Sequence, residues 1–119
     1  MHVHPSNYRV VGFTDKPAPK DIFAIAQKHG VIGIDDIGSG ALFDVQKAGL
    51  PEEPTFSDSI QAGADVILGS GDKLLGGPQS GIIIGKSNLI EQLRSHALAR
   101  AVRVGKLTLA ALDATLDAY

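Results

Sequence analysis

Lys73 stands in the run Ser70-Gly71-Asp72-Lys73-Leu74-Leu75-Gly76-Gly77-Pro78, after an apolar segment and at the head of a glycine-rich turn. Apolar surroundings disfavour the charged form of an amine, so a lysine placed there loses its proton more readily than a surface lysine, as amine nucleophiles require. The hydroxyl of Ser70 can face an anion beside that amine, and the glycines let backbone N–H groups approach a phosphate closely. Taken alone, the same residues also describe a solvated turn lysine. Asp36 changes the balance. It closes an apolar run and is followed by Ile37 and Gly38. A carboxylate on a pyridine nitrogen keeps the ring protonated and makes it a better electron sink, while a small residue nearby leaves room for the flat ring. Asp-x-Gly, a helix, a strand and Ser-x-x-Lys thus supply in order a ring partner, a phosphate hydroxyl and a Schiff-base amine, which are the needs of pyridoxal 5′-phosphate (PLP). Asp35 points the other way along its strand.

The elements that must position these groups follow an α/β grammar. Residues 8–13 form a short β-rich run closed by a turn. Asp21 opens a helical pattern with apolar residues at Ile22, Phe23, Ile25 and Ala26, and Gly30 suits its C-terminus. Residues 31–34 read as a fully buried parallel strand ending in Asp35-Asp36. A short helix over 57–62 ends at Gly63, strands follow at 64–68 and 82–84, Ser87 caps a helix through Leu93 or beyond, and 106–119 is helical again. Strand, helix, strand, helix, strand predicts a largely parallel sheet, with ligands beyond the carboxyl ends of its strands. If the chain begins inside a strand, His4-Pro5-Ser6-Asn7 lies at such an end, and His2 and His4 share a strand face. The first residues run from alternation straight into a turn, and the last helical pattern has no stop signal. A segment of a longer enzyme is therefore expected.

Composition narrows the classes. The chain of 119 residues allows at most one compact domain. Hydrophobic residues make up 44% and charged residues 20%, so it is not a disordered tail. A formal net charge of -2 gives no electrostatic case for a nucleic-acid surface. The absence of cysteine excludes disulfides, thiolate zinc sites and cysteine nucleophiles. No apolar run approaches the roughly 20 residues of a membrane span, and MHVHPSN has no secretory pattern, so a cytoplasmic location is expected. GSGDKLLGG lacks phosphate-loop spacing, and Ser70 follows a strand where a Ser-x-x-Lys acylase needs it to open a helix. His2, His4, His29 and His96 show no paired helical spacing, so no metal site is expected.

The runs HPSNYRVVGFT, IDDIGSGAL, SGDKLLGGPQSGIIIGK and HALARAVRVGKLTLAALDATL resemble the bacterial selenocysteine synthases, the L-seryl-tRNA(Sec) selenium transferases, which are fold-type I PLP enzymes. The resemblance runs nearly end to end. It implies a part of the three-layer α/β/α large domain with a mostly parallel sheet, residues 1–119 forming its C-terminal half, with the family's N-terminal and small C-terminal domains absent. It implies PLP bound to Lys73 and held by Asp36 and Ser70, with Ser6 and Asn7 near the cofactor. Asp72 resembles the acid that assists loss of the seryl hydroxyl, and Arg100 and Arg103 the arginines that hold the anionic selenium donor. Guanidinium groups suit phosphate-like oxygens, and on one helix the pair would share a face. Gly105 stands where the family usually has an acidic residue. The implied partners are seryl-tRNA(Sec), selenophosphate and further subunits of a homo-oligomer, with the tRNA-binding region outside this chain. The rival readings are another PLP lyase, such as an amino sugar acid ammonia lyase, and a truncated, non-catalytic remnant.

Overall fold

A computed structural model describes residues 1–6, 8 and 10–119. Its sheet runs in the order β1 (His2–Val3), β2 (Ile34–Gly38), β3 (Val66–Ser70), β4 (Gly81–Gly85). The first three strands are parallel, and β4 is antiparallel to β3. The parallel steps are bridged by α1 (Pro19–Lys28) and by α2 (Phe56–Ala62), and α3 (Ser87–Ser95), α4 (Ala97–Val102) and α5 (Lys106–Leu116) follow β4.

Local chemistry explains the helix ends. Pro19 occupies the first turn of α1, where its missing N–H removes no helical bond, so the helix begins before the Asp21 start expected from sequence. Thr55 and Asp58 form a reciprocal capping box at α2, and Gly63 ends it at φ 94°. At α3 the cap is Lys86, not the expected Ser87. The Lys86 side chain is ion-paired to Asp65 and its N–H donates to the Asp65 carbonyl at 3.0 Å, which holds it extended ahead of the helix.

One sheet face is the core. Ile37, Phe56 and Ile67 are buried together, with Ala64, Ile82 and Ile84 packed on them. Burying an isoleucine contributes about 1.5–3 kcal/mol, so this small cluster carries much of the sheet-to-α2 adhesion. The other face presents a row across four strands, with Val3 opposite Asp36, Asp36 opposite Leu68 and Leu68 opposite Ile83. Val3 and Ile83 are about half exposed there.

Two expected strands differ. The strand expected at 31–34 begins only at Ile34, and Val31 and Ile32 are more than half exposed. Gly33 sets this start. A Cβ on it would come within 2.8 Å of the Phe23 ring, and its N–H donates to Asp65 at 2.7 Å, so pairing with β3 begins one residue later. Asp35 and Asp36 therefore lie inside β2 and not beyond its end. The described residues of the run 8–13 form no strand, and Phe13 is fully exposed. They lie past the end of β1 and pair with no neighbour, and Gly12 turns the chain at φ 134°.

Candidate active site at the carboxyl end of the sheet

Alternation along β2 sends its two aspartates to opposite faces. Asp35 faces α2 and is 2% exposed. Its carboxylate accepts from Ser59 Oγ at 2.7 Å, and His2 Nδ1 lies 2.7 Å from its other oxygen. Buried carboxylates persist only when so partnered. His4, past β1, lies 3.2 Å from Glu53, so the two histidines border the same cleft, as their shared strand face predicts. Asp36 faces the open side, half-buried, and its Oδ1 accepts the Gly38 N–H at 3.1 Å.

That hydrogen bond places the Asp36 carboxylate beside a gap in which other candidates converge. Gly38 sits at φ 65°, and a Cβ on it would stand 3.0 Å from Ser6 Oγ and 3.9 Å from Lys73 Nζ. The carboxylate, a hydroxyl and the lysine amine thus border the backbone of one residue. Ser6 arrives there because the chain leaving β1 is tied by His4 N–H to the Asp36 carbonyl at 2.8 Å and turns back on itself at Ser6. Lys73 arrives because Leu74 N–H donates to the Ser39 carbonyl at 3.0 Å, and Gly77 N–H to the Gly71 carbonyl at 2.8 Å, which folds the 71–80 loop over the end of β2. A carboxylate and an amine, the two residue types that a pyridine cofactor needs, thus approach one glycine, whose left-handed φ disfavours any side chain between Ser6 and Lys73. Ser39 Oγ, next to it, is buried and without a hydrogen-bond partner among the described residues.

Other candidates are placed less tightly. Ser70 ends β3 half-buried, on the face of Leu68 and Asp36. Asp72 is exposed beside Lys73. Lys73 is itself exposed, so these residues do not supply the apolar surroundings expected for it. Arg100 lies on α4, but Arg103 is its C-cap with extended backbone at ψ 139°. The two arginines therefore do not share the helical face expected of them. Both are exposed, and among the described residues neither has an acidic partner, whereas Arg94 pairs with Glu91 within α3. Asn7 lies outside the described residues. No group of three or more acidic, histidine or cysteine side chains there could hold a metal, and no helix there is long and apolar enough to cross a membrane.

Sequence reasoning passed over His2 and Ser59 as partners of Asp35. Their signal, a strand residue facing a small polar residue on the next helix, is visible only once the register is known.

The family model described as L-seryl-tRNA selenium transferase matches residues 1–119. The L-seryl-tRNA(Sec) selenium transferase of Alkaliphilus metalliredigens (strain QYMF) is 51% identical over 119 residues, all of this chain and 26% of that protein. The enzyme of the same name from Hyphomonas neptunium (strain ATCC 15444) is 51% identical over 116 residues, 98% of this chain and 25% of its own length. This chain therefore spans about a quarter of the length of these curated relatives. Among solved structures, a D-glucosaminate-6-phosphate ammonia-lyase matches 99% of this chain and 28% of its own with a TM-score of 0.71. At 23% identity that likeness shows the fold alone.

Proposed function

The chain belongs to the L-seryl-tRNA selenium transferase family, and we propose that it supplies the lysine-bearing part of a PLP site that converts seryl-tRNA(Sec) to selenocysteinyl-tRNA(Sec). The observation that carries this reading is the approach of Lys73 Nζ and Ser6 Oγ to Gly38, beside the Asp36 carboxylate.

Lys73 would hold PLP until the seryl amine takes its place and frees the lysine amine, and the bound cofactor would supply an electron sink that eases loss of the seryl Cα proton. Asp36 holds the protonated ring nitrogen, and Ser70 offers its hydroxyl to the phosphate, with Ser6 and Asn7 bordering the cofactor. Lys73 is the base that takes the Cα proton, since its amine is the titratable group nearest the open position at Gly38. Asp72, next in the chain and open to solvent, assists loss of the seryl hydroxyl, which leaves as water with the proton taken from Cα as the Cβ–O bond breaks. Selenium from selenophosphate then bonds to Cβ as Lys73 returns a proton to Cα, and water cleaves the Se–P bond so that phosphate departs. Arg100 and Arg103, exposed and unneutralised, grip the anionic donor. The complete enzyme is read as a cytoplasmic homo-oligomer, with this chain the C-terminal half of its large domain and its tRNA contacts elsewhere.

The test uses a full-length family member carrying this chain in place of its own matching segment. Borohydride treatment with PLP should fix the cofactor on the peptide holding Lys73, and Lys73→Ala should abolish that mass shift. Capture elsewhere, or none in the chimera, overturns the assignment. Binding of seryl-tRNA separates this reading from an amino sugar acid ammonia lyase, a reaction the shared fold accommodates equally well.

A further inference from the structure

The loop that carries Lys73 is gripped from a second side. Tyr119, three residues past α5, donates its hydroxyl to the Leu75 carbonyl at 2.9 Å and lies 3.4 Å from the Leu74 carbonyl. Its ring packs on Phe43 at 5.8 Å between centroids, tilted by 47°, which fixes the direction of the hydroxyl. One turn earlier on α5, Leu112 and Thr115 stand against Gly77, where a Cβ would meet Thr115 Oγ1 at 3.4 Å, Leu112 Cδ1 at 3.5 Å and the Gly71 carbonyl at 3.0 Å. Leu75 is 1% exposed, so the loop is anchored in the core immediately beyond the lysine.

These contacts change what α5 does. The loop's own bonds fix its width: Gly71 N–H to the Ser80 carbonyl at 2.8 Å and Gly77 N–H to the Gly71 carbonyl at 2.8 Å. They do not fix its tilt over the end of β2. Among the described residues, two hydrogen-bonding groups outside the loop hold its lysine-bearing stretch: the Ser39 carbonyl, which accepts from Leu74, and the Tyr119 hydroxyl, which donates to the Leu75 carbonyl. They take opposite backbone groups of adjacent residues, one from the residue after β2 and one from the segment after α5. We infer that Tyr119 is a positioning residue for Lys73, setting through the Leu75 carbonyl where the amine stands relative to Asp36 and Gly38. The inference deepens the reading of Lys73 as the PLP-binding residue and rests on it. It also gives α5 a part in the site without placing any of its side chains near the cofactor.

Tyr119→Phe removes one oxygen and keeps the ring on Phe43, so it isolates the hydroxyl. In the cofactor-free full-length chimera, amide exchange of the 74–77 segment should rise about fivefold, the effect of one ordinary hydrogen bond. Exchange in α2 should not change. Covalent capture of PLP by Lys73, trapped with borohydride and counted by peptide mass, should slow at least about threefold. Gly77→Ala, which pushes the loop off α5 from the other side, should do the same and serves if Tyr119→Phe fails to accumulate. Unchanged exchange overturns the inference. Faster exchange with unchanged capture also overturns it, because the contact would then be merely structural. If the unsubstituted chimera captures nothing at Lys73, the PLP reading fails, while exchange still reports on the contact.

Discussion

Replacing Gly40 by alanine separates two penalties that usually arrive together. Gly40 follows β2 at φ 70°, a left-handed conformation that an L side chain adopts at a cost of about 1–2 kcal/mol. It also lies against the end of β3. A Cβ there would stand 2.0 Å from the Ser70 carbonyl oxygen and 3.1 Å from its carbon. Those atoms are backbone, so no rotamer change relieves the overlap, and either β3 or the β2 exit must shift. Overpacking of this kind costs about 1–3 kcal/mol more. Gly49 provides the control, since it has φ 79° and nothing within 4 Å of its would-be Cβ. Gly49→Ala carries the conformational penalty alone. The difference of about 1–3 kcal/mol should accelerate amide exchange in β3 about 5- to 150-fold more in Gly40→Ala than in Gly49→Ala. Peptide-resolved exchange on the full-length chimera measures it, and capture of PLP at Lys73 should fall in the same order. Equal exchange in the two variants would refute the claim that the β2 and β3 exits are in backbone contact at the site.

Asp35→Ala should destabilise β1 and β2 by about 2–4 kcal/mol, because it strands His2 and Ser59 in a buried place; exchange of the 2–4 and 34–38 amides measures this. Thr55→Ala should cost α2 about 1 kcal/mol by opening its capping box, seen as faster exchange confined to that helix. Asp65 has its pKa lowered from the ordinary 3.8, first by its bond from Lys86 and then by the Gly33 N–H. Its folded pKa lies below its unfolded one, so its stabilisation is complete above about pH 4 and is lost as the pH falls through the lowered value. Lys86→Met should flatten that acid limb of an unfolding profile, and an unchanged slope would count against the pair. The 119-residue chain by itself should capture PLP weakly and show no turnover, since Lys73 is exposed within it; full activity of the isolated chain would overturn that expectation.

Much of the fold was legible because its signals are local. Gly63 after an amphipathic turn and the apolar triplet 82–84 each announce one element. What escaped depends on partners far along the chain. Val-Ile at 31–32 looks like strand, yet Gly33 must pass beneath Phe23 before pairing can begin, so the aspartates were expected beyond a strand they in fact occupy. The run 8–13 is β-favouring in sequence, but its described residues have no neighbouring strand to meet. Arg100 and Arg103 have helical spacing, but the helix stops between them. Within the candidate site, Asp36, Gly38 and Lys73 could be named from residue types in order along the chain. The hydroxyl of Tyr119 could not, because nothing near it in sequence hints at a carbonyl on a distant loop.

The reversal of β4 has a consequence for the order in which the site assembles. Because β4 runs antiparallel to β3, the lysine-bearing loop of residues 71–80 is the connection of a hairpin. A hairpin of this kind forms on a scale of about 1–10 μs, with little chain entropy lost in closing its connection. The pairing of β2 with β3 is parallel and needs a crossover through α2, a slower, non-local event. Lys73 is thus expected to meet its strand neighbours before Asp36 joins it. A folding defect in the crossover would yield chains that carry a formed lysine loop with no carboxylate opposite it.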